Sequence, residues 1–171
     1  MNLFTIGFTK KNAESFFETL RAAKVKRVID VRLNNVSQLA GFSKRDDLAY
    51  FLKNICDIEY VHLPLLAPGQ AMLDAYKKDG GTWAEYETAF NNLMAQRNIG
   101  ASLPIEILDG GCLLCSEEKP DYCHRRLVAD IAQRLHPGLD VIASRIAKEF
   151  FKIKAQRICS KGGIACLIGR G

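Results

Sequence analysis

The segment RVIDVR, residues 27–32, is an apolar, β-branched run that ends in polar side chains. Runs of this kind are typical of strands buried in a parallel sheet. A polar loop through Gly41 follows the segment, and a helical pattern begins at about Lys44. A strand, a turn signal and a helix in succession form the repeating unit of α/β proteins, so this segment indicates that class.

The same unit recurs on both sides of the segment. Further apolar runs each lead into a turn and then a helical pattern. We therefore predict an α/β fold with three layers, in which a mostly parallel sheet of about five strands is flanked by helices. The other strands are predicted at Leu3–Ile6, Ile58–Leu63, Ile105–Leu114 and Leu139–Ala143, and helices at about 13–24 and 71–78, from Trp83, and from Pro120.

The clearest local signal is the start of the helix at Trp83. The sequence TWAE, residues 82–85, has the form of a capping box, in which Thr82 and Glu85 bond reciprocally to each other's backbone. Trp83, Tyr86 and Phe90 then recur with helical spacing. The pattern predicts a long amphipathic helix that begins at this box.

Length and composition favour a globular protein. The chain has 171 residues, of which 48% are hydrophobic and 25% charged, so we predict a single α/β domain over residues 1–143. No apolar stretch approaches the length of a membrane span, and the first residues lack the features of a signal peptide. The six cysteines are therefore expected to be free thiols or metal ligands in the cytoplasm rather than disulfides.

The net charge of +5 is concentrated near the carboxyl end. Residues 144–171 hold seven of the 24 basic residues and one of the 19 acidic residues, which leaves residues 1–143 close to neutral. The charge of the folded body thus does not support nucleic-acid binding. We expect this basic tail to be disordered or extraneous to the domain, the alternative being a helix that binds a membrane or a partner.

Polar residues stand where the predicted strands end. In an open parallel sheet, ligands bind beyond the carboxyl ends of the strands. Asp30 and Arg32 are two apart, so both should project from one face, where they either grip a polar ligand or form an ion pair that only holds loops. The residues at the strand ends are Gly7, Asp30, Arg32, His62 and Cys115.

Cys115 is followed by a loop and a helix that carries Cys123-His124-Arg125-Arg126. A helix start and nearby cations stabilise a thiolate or a bound anion, so Cys115 with His124 as base or acid would make a nucleophilic pair. Cys115, Cys123 and His124 are also suitable ligands for zinc or iron, with His62 or Asp30 as the fourth.

Three nearby residues have plainer interpretations. Cys123 can be a core residue, because it shares a helical spacing with apolar residues further on. Cys112 is expected to be core rather than half of a CxxC motif, since residues three apart on a strand face opposite ways. Glu117 can serve as an acid or base, although acidic residues before a helix usually form a solvated turn.

Several short motifs occur together in one order: TIG at 5–7, DVR at 30–32, GFS at 41–43, YVHLP at 60–64 and Cys115 followed by CHR at 123–125. In this the chain resembles the bacterial and archaeal family called domain of unknown function 488, over residues 2–143. The resemblance implies a compact α/β domain and a shared polar site made of Gly7, Asp30, Arg32, Tyr60, Cys115, Glu117, Cys123, His124 and Arg125.

The chain departs from many relatives at two places. Phe8 stands where they have His or Tyr after the first glycine, and Leu33-Asn34-Asn35 stands where they have a proline. If that histidine takes part in catalysis elsewhere, this chain lacks it.

We therefore predict an enzyme or binding protein for a small anionic or nucleotide-like molecule. Cys115, His124 and Asp30 are the predicted catalytic residues, and the sequence assigns no cofactor and no oligomeric state. The alternatives are a metal-binding domain and, third, a nucleic-acid interaction module. The predicted ligand-binding residues are Gly7, Arg32, Tyr60, His62, Glu117 and Arg125.

Overall fold

A computed structural model of the chain describes residues 1–36 and 41–142. Within these residues the strands are β1 (Asn2–Gly7), β2 (Arg27–Asp30), β3 (Glu59–His62), β4 (Gly111–Cys115) and β5 (Asp140–Ile142). The α-helices of the same residues are α1 (Ala13–Ala22), α2 (Arg45–Phe51), α3 (Gln70–Lys77), α4 (Trp83–Gln96), α5 (Ile105–Leu108) and α6 (His124–Leu135). Wider π-type turns continue α2 over Leu52–Cys56, and 3₁₀ turns cover Gly41–Ser43, Pro64–Leu66 and Ile99–Ser102.

The described strands form one parallel sheet in the order β3-β2-β4-β1-β5. The chain crosses the sheet in one direction from β1 to β3 and in the other direction from β3 to β5. Because crossovers between parallel strands are right-handed, the two directions place their helices on opposite faces. The structure thus has the three-layer α/β fold that the sequence predicts.

The two faces of the sheet bury separate apolar layers. One layer joins the sheet to α1 and α2, and Phe16 and Leu48 lie at its centre. The other joins the sheet to α4 and α6, through residues such as Phe90 and Leu127. Each layer packs against one face of the sheet, so the carboxyl ends of the strands are held in a defined arrangement.

Strand β4 passes through the middle of the sheet, and all five of its residues are buried. Successive side chains of a strand point to opposite faces. Cys112 and Leu114 accordingly join the α1–α2 layer, and Leu113 joins the α4–α6 layer. The prediction that Cys112 is a core residue is confirmed, and the same alternation turns Cys115 toward α6.

Two predicted boundaries next to this strand are wrong. The strand predicted at Ile105–Leu114 begins with the short helix α5, because Pro104 starts a helical turn and Gly110, at φ 75°, turns the chain into β4. The helix predicted to open at Pro120 begins at His124 instead. Cys123 is extended, with φ −138° and ψ 134°, so the residues before it form a loop.

Two further expectations concern regions outside the sheet. None of the helices within residues 1–36 and 41–142 has an apolar run long enough to cross a membrane. The predicted basic tail, residues 144–171, lies outside the described residues. The domain boundary at 143 stays a prediction.

The capping box predicted at Thr82 is present. The Thr82 hydroxyl accepts a hydrogen bond from the Glu85 N–H at 3.3 Å, and the Glu85 carboxylate accepts one from the Thr82 N–H at 2.7 Å.

We expect Thr82→Ala to lower the free energy of unfolding by about 1 kcal/mol, because the first turn of α4 loses its cap. Thr88→Ala is the matched control, since its hydroxyl bonds the Ala84 carbonyl within the same helix. Urea unfolding of both variants measures the difference, and equal stability of the two would contradict the assignment.

Candidate functional site

The carboxyl ends of β2 and β4 border a pocket of about 160 Å³. Cys115, the last residue of β4, is 5% exposed and lines this pocket together with Cys123 and His124. The chain from Ser116 to Tyr122 has no regular helix or strand and leads from β4 into α6. The predicted thiol site therefore lies where ligands bind in open parallel sheets.

Cys115 and His124 are in contact within the pocket. The sulfur Sγ of Cys115 lies 3.7 Å from Nδ1 of His124, and Nε2 of the same ring lies 2.8 Å from the Val31 carbonyl oxygen. A carbonyl oxygen can only accept, so Nε2 carries a proton and donates it. The ring is thereby held with Nδ1 toward the sulfur, which is the orientation that a Cys–His pair requires.

Cys123 is the second sulfur of the site. Its Sγ, the Cys115 Sγ and a ring nitrogen of His124 lie within 4.8 Å of one another, and all three residues are buried. Both cysteines are free thiols. The Nη1 of Arg125 also donates a hydrogen bond to the Cys123 sulfur, at 3.5 Å.

The surroundings of the two thiols shift their pKa values in opposite directions. The Cys123 thiol, His124 and the Glu117 N–H all stabilise a negative sulfur on Cys115, and they hold its pKa well below the ordinary thiol value against the effect of burial. The hydrogen bond to Cys115, together with burial, raises the pKa of Cys123. Burial alone would lower the pKa of His124, but a negative Cys115 sulfur and the hydrogen bond to the Val31 carbonyl together raise that pKa. Of the two thiols, Cys115 is therefore the one whose surroundings favour the thiolate.

The loop after Cys115 is held by Arg125, which is 1% exposed. Its guanidinium donates hydrogen bonds to the Glu117 carbonyl and, at 3.0 Å, to the Glu118 carbonyl. Gly7 lies directly against the same segment. A Cβ added to Gly7 would overlap the Glu117 carbonyl oxygen and lie 2.7 Å from its carbonyl carbon.

Asp30 and Arg32 form a buried ion pair beside the pocket. Arg32 Nε and Nη2 donate to the two carboxylate oxygens at 2.8 and 2.6 Å, and Tyr60 Oη donates to the second oxygen at 2.6 Å. Burial and this carboxylate both raise the pKa of Tyr60, which keeps its proton. The ring of His62 contacts the Arg32 carbonyl oxygen at 3.1 Å. Asp30 pairs in register with Leu114, so its side chain faces away from Cys115.

The comparison with protein-family models gives one match. Residues 12–132 match the family described as domain of unknown function DUF488, which is more than half of the chain. The chain belongs to this family. The resemblance drawn from the short motifs is thus confirmed, and the matched residues include the segment from Cys115 to Arg125. No curated protein and no solved structure matches the chain.

The site residues predicted for this DUF488 chain separate into three groups. One group lines the pocket, a second holds the loop after Cys115, and a third holds Arg32, which itself reaches the pocket. The pocket is lined by Arg32, Cys115, Glu117, Cys123 and His124. The loop after Cys115 is held by Gly7 and Arg125. Arg32 is held by Asp30, Tyr60 and His62.

The predicted metal ligands are brought together only in part. Within the described residues, Cys115, Cys123 and His124 form a group that could share a metal ion. Asp30 and His62, the predicted sources of a fourth ligand, bond Arg32 instead and are not part of this group.

One wall of the pocket is aromatic, and the sequence does not predict it. Tyr76, Trp83 and Tyr86 pack with ring centroids 5.0–5.7 Å apart, and Tyr122 meets Trp83 edge-on at 5.7 Å. In the sequence, Trp83 and Tyr86 stand out only as members of the apolar stripe of α4. Lys77, also missed, bonds Glu117 at 2.7 Å beside this wall. The available sequence signal for this wall was Tyr76 and Lys77, an aromatic and a basic residue next to each other at the end of α3.

We expect Gly7→Ala to destabilise this DUF488 protein and to displace the loop after Cys115, because the new methyl group collides with the Glu117 backbone. The cost should reach the range of overpacked cores, about 1–3 kcal/mol. Gly69→Ala is the matched control, since no atom lies within 4 Å of its Cβ position. Urea unfolding compares the two, and an unaffected Gly7→Ala variant would contradict the close approach.

Proposed function

We propose that this protein is a thiol-dependent enzyme that acts on a small anionic, nucleotide-like ligand, with Cys115 as the nucleophile and His124 as the acid or base. The observation that carries the proposal is the contact between Cys115 Sγ and His124 Nδ1 inside a pocket. A nucleophilic thiol needs a base within reach and a third group that orients the base. The Val31 carbonyl is that third group.

The surroundings of the pair favour a negatively charged substrate. Arg32 lines the pocket with a buried guanidinium, which Asp30 holds in place and which lies over the Phe8 ring. The amino end of α6 also faces the site, and helix amino ends attract anions. Asp30, Tyr60 and His62 support this by fixing Arg32, so we assign them positioning rather than catalytic roles.

The aromatic wall favours a planar group on the substrate. Aromatic faces stack well with flat rings, and Trp83 and Tyr122 stand at the pocket beside the charged residues. A pocket of this size suits a small molecule. A ring that carries an anionic group therefore fits both walls, which is why we describe the ligand as nucleotide-like.

We place this activity in the cytoplasm. A cysteine nucleophile must stay reduced, and Cys56, Cys112, Cys115 and Cys123 are all free thiols. The cytosol keeps thiols in that state.

The pH dependence of alkylation tests the nucleophile. We expect Cys115 to react with iodoacetamide well below pH 8.5, the pKa of an ordinary thiol being about 8.5, because its own pKa is lowered. The rate should fall only when the pH drops through that lower value and the thiolate takes up a proton. Mass spectrometry of the peptide that contains Cys115 gives the rate at each pH.

His124→Gln is the informative variant in this experiment. The glutamine amide can still donate to the Val31 carbonyl, but the group that faces the sulfur is lost. We expect the alkylation profile to move toward higher pH. An ordinary thiol profile in the unaltered protein would refute the proposed nucleophile.

The cluster of ligating atoms supports a second candidate, a zinc or iron centre. Cys115, Cys123 and His124 supply three ligands, and histidines that bind metals commonly donate their other nitrogen to a carbonyl, as His124 does. Three protein ligands that border a pocket would leave a position for substrate, as in catalytic zinc sites. Arg125 disfavours this candidate, because its positive charge lies against the Cys123 sulfur.

Elemental analysis distinguishes the candidates. We expect protein purified under reducing conditions to be free of metal and folded, as the nucleophile requires. Stoichiometric zinc or iron that is lost in both Cys115→Ser and Cys123→Ser, but kept in a Cys112→Ala control, would instead establish the metal centre.

A further inference from the structure

We infer that the site has a second activity, the reduction of a hydroperoxide, in which Cys115 and Cys123 become a disulfide. The inference rests on the proposed function in one respect, since Cys115 must be a reactive thiol. What it adds is a chemical role for Cys123, which the proposed nucleophile and base do not use.

The position of the two sulfurs supports this pairing. They lie within 4.8 Å of each other, both residues are buried, and both border the pocket through which a small peroxide can enter. Cys112 cannot compete, because it packs into the α1–α2 layer on the opposite face of the sheet. Cys56 lies beside the same layer, at the end of the turns that follow α2.

The backbone between the two cysteines can adjust to a disulfide. Residues 116–122 form an irregular loop, and Cys123 is extended and precedes the first turn of α6. Closing the gap between the sulfurs therefore requires no helix or strand to unwind. Cys123 is the partner that moves, because the Cys115 side of the loop is held at Glu117 by Arg125 and Gly7.

The reaction has two steps. The Cys115 thiolate attacks the outer oxygen of the hydroperoxide, an S–O bond forms as the O–O bond breaks, and the leaving alkoxide takes a proton from His124. Cys123 then attacks the sulfur of the sulfenic acid, so that the S–S bond forms, the S–O bond breaks and water leaves with the Cys123 proton. Two thiols are oxidised, one hydroperoxide becomes an alcohol and water, and a dithiol restores the site.

This chemistry would also protect the nucleophile. A sulfenic acid with no thiol nearby is open to irreversible oxidation, whereas a neighbouring cysteine traps it as a disulfide that can be reduced. While the disulfide is present, Cys115 has no thiolate, so the proposed activity is switched off until a dithiol acts.

The test treats the reduced full-length protein with an equimolar amount of hydrogen peroxide. We expect the protein to lose two thiols and two hydrogens in mass, and dithiothreitol to restore both. Digestion with a protease that cuts after glutamate separates the two cysteines at Glu117 and Glu118. The peptide that contains Cys115 should then be joined to the one that contains Cys123.

Three variants sharpen this experiment. Cys112→Ala should still form the disulfide, which excludes Cys112 as the partner in the same peptide. Cys123→Ser should stop at a Cys115 sulfenic acid that dimedone traps. Cys115→Ser should leave Cys123 reduced.

The outcomes separate the two proposals. If iodoacetamide labels Cys115 but peroxide leaves Cys123 a free thiol in the unaltered protein, the second activity is refuted and the nucleophile stands. If neither reagent reacts at Cys115, the proposed function fails as well.

Discussion

The buried guanidinium of Arg125 is the interaction on which the site depends. It satisfies two carbonyl groups of the loop after β4, and a charge buried so completely is costly unless its hydrogen bonds are made. Gly7 leaves room for that loop at the end of the neighbouring strand. Together they fix the first part of the loop, at Glu117 and Glu118, so the chain directly after Cys115 is held by a polar contact.

Much of the fold could be predicted from the sequence, because each strand is a short β-branched run with its own turn signal. The errors fall where that local signal is misleading. Ile105–Leu108 is as apolar as a strand, yet Pro104 and Gly110 make it one helical turn. Pro120 suits a helix start, but the backbone of Cys123 is extended, so α6 begins only at His124. Local backbone geometry that the apolar pattern does not show decides both boundaries.

The sequence was enough to predict which residues lie at the strand ends, but not to which face of the sheet their side chains point. The contact between Cys115 and His124 could be predicted because a strand end and the start of the following helix meet at one edge of a parallel sheet. Asp30 lies at the same edge, but its side chain faces the α1–α2 layer, away from Cys115. This direction follows from the register of β2 against β4, in which Asp30 pairs with Leu114, and the sequence does not reveal that register. Three rings of the aromatic wall, Tyr76, Trp83 and Tyr86, come from α3 and α4 and meet where these helices pack together.

Trp83 is the single tryptophan of the chain, and it stands in the wall of the pocket. It stacks on Tyr86 at 5.2 Å and lies 5.6 Å from the Arg126 guanidinium. Its environment therefore combines aromatic contact, a nearby charge and the solvent of the pocket. The tryptophan fluorescence of this protein consequently comes from one known place in the same pocket as the thiols, so occupancy of the pocket can be followed optically without attaching any dye.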